Sequence, residues 1–158
     1  MDPARKRAKF DLLVSMGYKE IEIGFPAASK TDWDFVRSLA DEDAVPDDVT
    51  VSVLTQARTD LIQRSIDALE GFPRATVHMY NATAPVFRNV VFGNDREATK
   101  NLAIRGTQDV IDYMEKTLGD DMIVGYQYSP EIFVDTELDF ALEVCEAVMD
   151  VWQPAADR

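Results

Sequence analysis

The only histidine in this 158-residue sequence, His78, lies in Val77-His78-Met79-Tyr80-Asn81-Ala82-Thr83. It stands near the end of an apolar run, where a buried strand delivers its last side chains into a site. An imidazole there can be a general base, a metal ligand or a donor to a substrate oxygen. It can equally be a core histidine satisfied by a backbone carbonyl. Other strand-like segments end on comparable chemistry: Glu22 and Gly24, Gln56 and Arg58, then Ser129 and Glu131. Glu20 and Glu22 share a strand face; Glu20 is expected at the solvated strand entrance and Glu22 at the functional end. Ser129-Pro130-Glu131 reads as a turn between a strand and a helix. Pro130 removes a backbone donor and would fix both neighbours. An acid at a helix start is also favoured by the dipole alone.

Several chemistries find no support in the residues. With one histidine and one cysteine, a complete metal site within the chain is not expected. Cys145 falls in the apolar stripe of a helix, which suits a core position. No G-x-G-x-x-G or P-loop pattern occurs.

The elements that must position these residues alternate strictly. Helices are expected over Pro3 to Met16, from Ser29 or Thr31 to about Asp43, over Thr59 to Leu69, Asp95 to Leu118, and Asp135 to Trp152. Phe10, Leu13 and Met16 share one face of the first. Leu138, Ala141, Leu142, Cys145, Val148 and Met149 share one face of the last. Strands are expected over Tyr18 to Gly24, Val49 to Leu54, Arg74 to Tyr80 and Asp121 to Tyr128, with a polar loop after Tyr80. This order implies a parallel sheet. Each strand has an apolar and a more polar face: Ile21 and Ile23 against Glu22, Val51 and Val53 against Ser52, Val77 and Met79 against His78. A sheet covered by helices on both faces reads as continuous apolar runs. Two unlike faces point instead to a (β/α) barrel with helices outside. A full barrel needs eight units and roughly 250 residues. The chain is therefore read over 1–158 as a partial (β/α)8 TIM barrel of about four β/α units with parallel strands.

Composition narrows the partners. Net charge is −13, and from Asp95 onward fifteen acidic residues face five basic ones. Such acidity argues against nucleic acid or anionic membrane as a partner. The basic cluster Arg5, Lys6, Arg7 and Lys9 reads as a solvated helix face. No apolar run approaches the ~20 residues of a membrane span, no apolar signal region follows Met1, and a cytoplasmic location is expected.

Five stretches together resemble the 2-isopropylmalate synthases. They are Met16-Gly17-Tyr18-Lys19-Glu20-Ile21-Glu22-Ile23-Gly24-Phe25-Pro26, then Val53-Leu54-Thr55-Gln56-Ala57-Arg58 with His78-Met79-Tyr80-Asn81-Ala82-Thr83, and Tyr126-Gln127-Tyr128-Ser129-Pro130-Glu131 followed by Thr136-Glu137-Leu138. The resemblance runs from about Pro3 to Trp152. It implies a metal-dependent TIM barrel condensing acetyl-CoA with 2-oxoisovalerate in leucine biosynthesis. A divalent cation (Mg, Mn or Zn) would polarise the ketone, and the full-length enzyme would be a homodimer. By the same resemblance His78, Ser129 and Glu131 bind the 2-oxo acid, and Glu22, His78 and Glu131 are catalytic. Gln127 stands where close relatives carry an acid. The family's Arg-Asp pair on the first strand and its late His-x-His pair, which hold the metal, have no counterpart here, so the metal ligands are expected in flanking sequence. The family's regulatory domain has no counterpart in these residues and is likewise expected in flanking sequence. The chain is thus expected to be the middle of a synthase barrel, inactive alone. Sister enzymes using another 2-oxo acid (homocitrate or citramalate synthase) and a non-catalytic α/β module are the alternatives.

Overall fold

The structure, a computed structural model, describes residues 2–119 and 121–154; the ends of the 1–158 span and Asp120 lie outside the described residues. Helix α1 (Pro3–Ser15) starts at Asp2, whose side chain accepts from the Arg5 amide at 3.0 Å, with proline in its first turn. It stops before Gly17, which adopts φ +89°. Strand β1 (Glu20–Gly24) leads to α2 (Lys30–Asp41), capped by Ser29. Strand β2 (Thr50–Gln56), α3 (Thr59–Asp67), β3 (Arg74–Ala82) and α4 (Arg96–Thr117) follow. Asp95 caps α4 by accepting from the Ala98 amide at 2.7 Å. Strand β4 (Ile123–Glu131) and α5 (Leu138–Trp152) complete the alternation.

The four strands pair in parallel in chain order, β1-β2-β3-β4. Right-handed crossovers between successive neighbours all return on the same side of a sheet. All the helices therefore lie on one face, and the burial pattern agrees. Ile21, Val51, Val53, Ala75, Val77 and Met79 are buried with Leu39, Ile62 and Ile66 of the helices. Glu22, Ser52, Thr76, His78 and Gln127 occupy the other face, half-buried or exposed. An alternating sheet with one covered face has the form of a barrel wall. Helix α4 sits close against β3 because it carries Gly106, where an added Cβ would lie 2.7 Å from the Met79 sulfur. No helix among the described residues is long and apolar enough to cross a membrane.

Four details depart from the sequence reading. Met16 follows α1 and is exposed, so only Phe10 of its expected trio is fully buried. The last helix buries Phe140, Ala141, Val144 and Val148, while Leu138, Leu142 and Met149 face outward. The expected polar loop after β3 contains a turn of π-helix, Phe87–Phe92. Strands β3 and β4 are each longer than expected, so Ser129-Pro130-Glu131 belongs to β4 instead of a turn. Pro130 is tolerated because Glu131 turns its carbonyl toward β3, accepting from the Thr83 amide at 3.2 Å. The nitrogen of Pro130 therefore faces the outer edge of β4, where no ladder partner among the described residues needs a donor.

Candidate active site

Alternation along the strands places Glu22, His78 and Ser129 on the open face of β1, β3 and β4. His78 Nδ1 lies 2.6 Å from Glu22 Oε2, and His78 Nε2 lies 2.8 Å from Ser129 Oγ. Glu22 and His78 reach each other across β2, where the small Ser52 is paired with Glu22. Gly24, at φ +144° and beside a register shift in the β1–β2 ladder, ends β1 just past Glu22. The carboxylate accepts from Nδ1–H, which leaves the lone pair on Nε2 facing the Ser129 hydroxyl. The imidazole side chain is 16% exposed and the Glu22 side chain 46%, so the ring is sheltered while its partner meets solvent. Acid, imidazole and hydroxyl in one line form a unit that can accept and return a proton at Nε2.

The remaining expected residues divide. Glu131 lies two residues beyond Ser129 on the same face, at the end of β4. Tyr80, paired with Ser129 in the ladder, packs edge-on against Phe25 at 6.5 Å. Burial, and then the nearby Glu131 charge, raise the Tyr80 phenol above its ordinary value. The Gln127 amide nitrogen is 3.4 Å from His78 Nε2. Gln56 and Arg58 end β2 and begin α3, where Arg58 pairs with Asp60 at 2.9 Å, apart from the histidine cluster. His78 itself sits mid-strand, four residues before the end of β3, because Asn81 and Ala82 extend the ladder against Pro130 and Glu131.

One ion pair behind the strand ends escaped the sequence reading. Arg88 of the π-helix is 5% exposed, donates to both carboxylate oxygens of Glu137 at 2.8 and 2.9 Å, and donates to the Thr83 carbonyl at 2.8 Å. Its guanidinium stacks over Phe140 at 4.7 Å. Thr83 in turn shares a buried hydroxyl contact of 2.7 Å with Thr136. The clamp ties the ends of β3 and β4 to the start of α5, and so fixes the backbone carrying Glu131. Hydrogen bonds from Arg88 and the surrounding backbone pull the Glu137 carboxyl down to about 2.

The HMGL-like family model matches residues 1–155. The chain belongs to the HMGL-like family. An HMGL-like domain is a TIM barrel, and the four parallel strands with one-sided helices are part of one. This HMGL-like chain is 64% identical to the 2-isopropylmalate synthase of Thermobifida fusca (strain YX), over all of its own length and 28% of that protein. It is 62% identical to the 2-isopropylmalate synthase of Streptosporangium roseum, again over its whole length and 27% of the relative. It is 52% identical to that of Ralstonia pickettii (strain 12J), over its whole length and 27% of the relative. The chain thus spans about a quarter of the length of the curated relatives it matches.

Proposed function

We propose that this chain supplies one wall of the active site of a 2-isopropylmalate synthase, acting within a longer cytoplasmic protein that works as a homodimer. The reaction is the condensation of acetyl-CoA with 2-oxoisovalerate (3-methyl-2-oxobutanoate) to give 2-isopropylmalate and CoA, the first step of leucine biosynthesis. The observation that carries this reading is the Glu22–His78–Ser129 line on the open barrel face. The names of relatives 52–64% identical over the whole chain support the substrates.

A divalent cation in such a site polarises the ketone of the oxo acid. Among the described residues no three His, Cys, Asp or Glu side chains converge as ligands, and both ring nitrogens of His78 are already engaged. The residues of this chain do not by themselves fit that ion. Once the Ser129 hydroxyl turns its hydrogen from Nε2 to an oxo acid oxygen, His78 Nε2 takes a proton from the acetyl methyl, and Glu22 stabilises the imidazolium that forms. The enolate carbon then bonds to the ketone carbon of the oxo acid, and the alkoxide that forms takes the proton back from the His78 imidazolium. Ser129 donates its hydroxyl hydrogen to an oxo acid oxygen. Glu131 is the second proton acceptor at the mouth of the site. Hydrolysis of the thioester releases free CoA.

The test is a chimera: the matching 28% of the Thermobifida fusca protein is replaced by this chain. Release of free CoA that depends on both acetyl-CoA and 2-oxoisovalerate is expected. A folded chimera that releases CoA only with 2-oxoglutarate or pyruvate would move the reading to a sister enzyme. One that releases none with any oxo acid would refute it.

A further inference from the structure

At the ends of the strands lies a site that none of Glu22, His78 and Ser129 lines. A cavity of about 230 Å³ lies between the ends of β2 and β3, the start of α3, the π-helix and the start of α4. Asn81 borders it and is 2% exposed. Its amide oxygen accepts from the Tyr128 hydroxyl at 2.7 Å, which fixes the orientation of the amide. The amide nitrogen has no acceptor within hydrogen-bond distance among the described residues. A buried N–H₂ left in that condition is costly and favours whatever acceptor enters the cavity.

The other lining residues specify what that acceptor is. Arg58 and Asn94 add donors, and none of the nine lining residues is acidic, in a chain of net charge −13. Asp60 holds one guanidinium nitrogen of Arg58, and the group has five N–H donors in all. Ala57, Phe92 and Leu102 make the remaining wall apolar. A guanidinium and amide donors with no carboxylate among them favour an oxyanion, and the apolar wall favours the stem that carries it.

We infer that the cavity beside Asn81 binds a small molecule with an oxyanion head, carboxylate or phosphate ester, on an apolar stem. Asn81 shares its strand face with Val77 and Met79, opposite His78 and Tyr80. Occupancy is therefore separate from the histidine line, and the inference stands or falls apart from the proposed condensation.

The experiment titrates the ¹⁵N-labelled chain with isovalerate, with butyl phosphate and with neutral isovaleramide, following the side-chain N–H signals of Asn81, Asn94 and Arg58. Saturable shifts with an anion are expected, and the anion that saturates at the lower concentration identifies the head group. Isovaleramide is expected to bind roughly tenfold or more weakly, as loss of a charge-assisted contact implies. Arg58→Gln changes an exposed side chain and should weaken the anion by about the same factor. Asn81→Asp should abolish binding; if that variant unfolds, Arg58→Gln decides. Three results would overturn the inference: no shift with either anion (a cavity for water only), equal binding of isovaleramide, or an unchanged affinity in Arg58→Gln.

Discussion

Glu22 and His78 stand on strands that are not neighbours, and yet their side chains meet at 2.6 Å across β2. Adjacent strands lie about 4.8 Å apart, so the pair spans two such steps. Glutamate and histidine are long enough to do this over the small Ser52, on the open face of a sheet that belongs to a barrel. Fifty-six residues separate them in sequence, and the strand order brings them together.

Glu22 is expected to set the tautomer of His78. In Glu22→Gln the amide can donate or accept, so the preference for Nδ1–H is lost. Ring ¹⁵N shifts should move from a single Nδ1–H form to a mixture. In the chimera, kcat should fall by about 10²-fold with KM little changed, at the lower end of acid–base contributions. Unchanged ring shifts would separate Glu22 from the proton chemistry.

Arg88 should be a large stability determinant. It is buried, bidentate to Glu137 and bonded to the Thr83 carbonyl. Arg88→Met leaves the Thr83 carbonyl without its side-chain donor and Glu137, a third exposed, with Arg96 alone at 3.3 Å, a loss of about 1–3 kcal/mol. Urea unfolding measures it. A midpoint within error of the parent chain would mean that the clamp contributes nothing.

The same clamp gives a pH signature. Glu137 has its folded pKa depressed to about 2 from an ordinary value of 4.5. The unfolded chain thus takes up the proton first as pH falls. The stabilisation is present in full above about 4.5 and is lost between 4.5 and 2. The stability difference between the parent chain and Glu137→Gln should shrink across that window. A constant difference would contradict the assignment.

Much of the fold was legible because strand alternation is a local property. Ile21, Val51 and Val77 against Glu22, Ser52 and His78 pointed to one covered face before any contact was known, and the sheet has that form. The last helix departs from its sequence reading for a physical reason: outside one acidic stripe of Asp139, Glu143, Glu146 and Asp150, Leu138 to Trp152 is apolar around the rest of its circumference. Two stripes compete there, and periodicity alone cannot choose between Leu142 and Val144. The Arg88–Glu137 clamp was illegible because its partners lie 49 residues apart in segments without periodicity. On the histidine line, strand parity showed that Glu22, His78 and Ser129 share a face; their hydrogen bonds follow only from the strand order.

The outward stripe of α5, with Leu138, Leu142 and Met149 each more than half exposed, predicts that the isolated chain self-associates. Exposed apolar patches of this kind drive association. Sedimentation should show mass rising with concentration, and Leu142→Lys should reduce it. A strictly monomeric chain that melts sharply and reversibly would contradict this. The isolated chain is also expected to release no CoA from acetyl-CoA and 2-oxoisovalerate.

The most direct test of the central claim compares the chimera with its His78→Ala variant. Initial rates of CoA release would be measured at saturating acetyl-CoA and 2-oxoisovalerate, with circular dichroism to verify folding. A general base at His78 Nε2 predicts a fall in kcat of about 10²–10⁴-fold. A folded His78→Ala chimera that keeps the parent rate would contradict it.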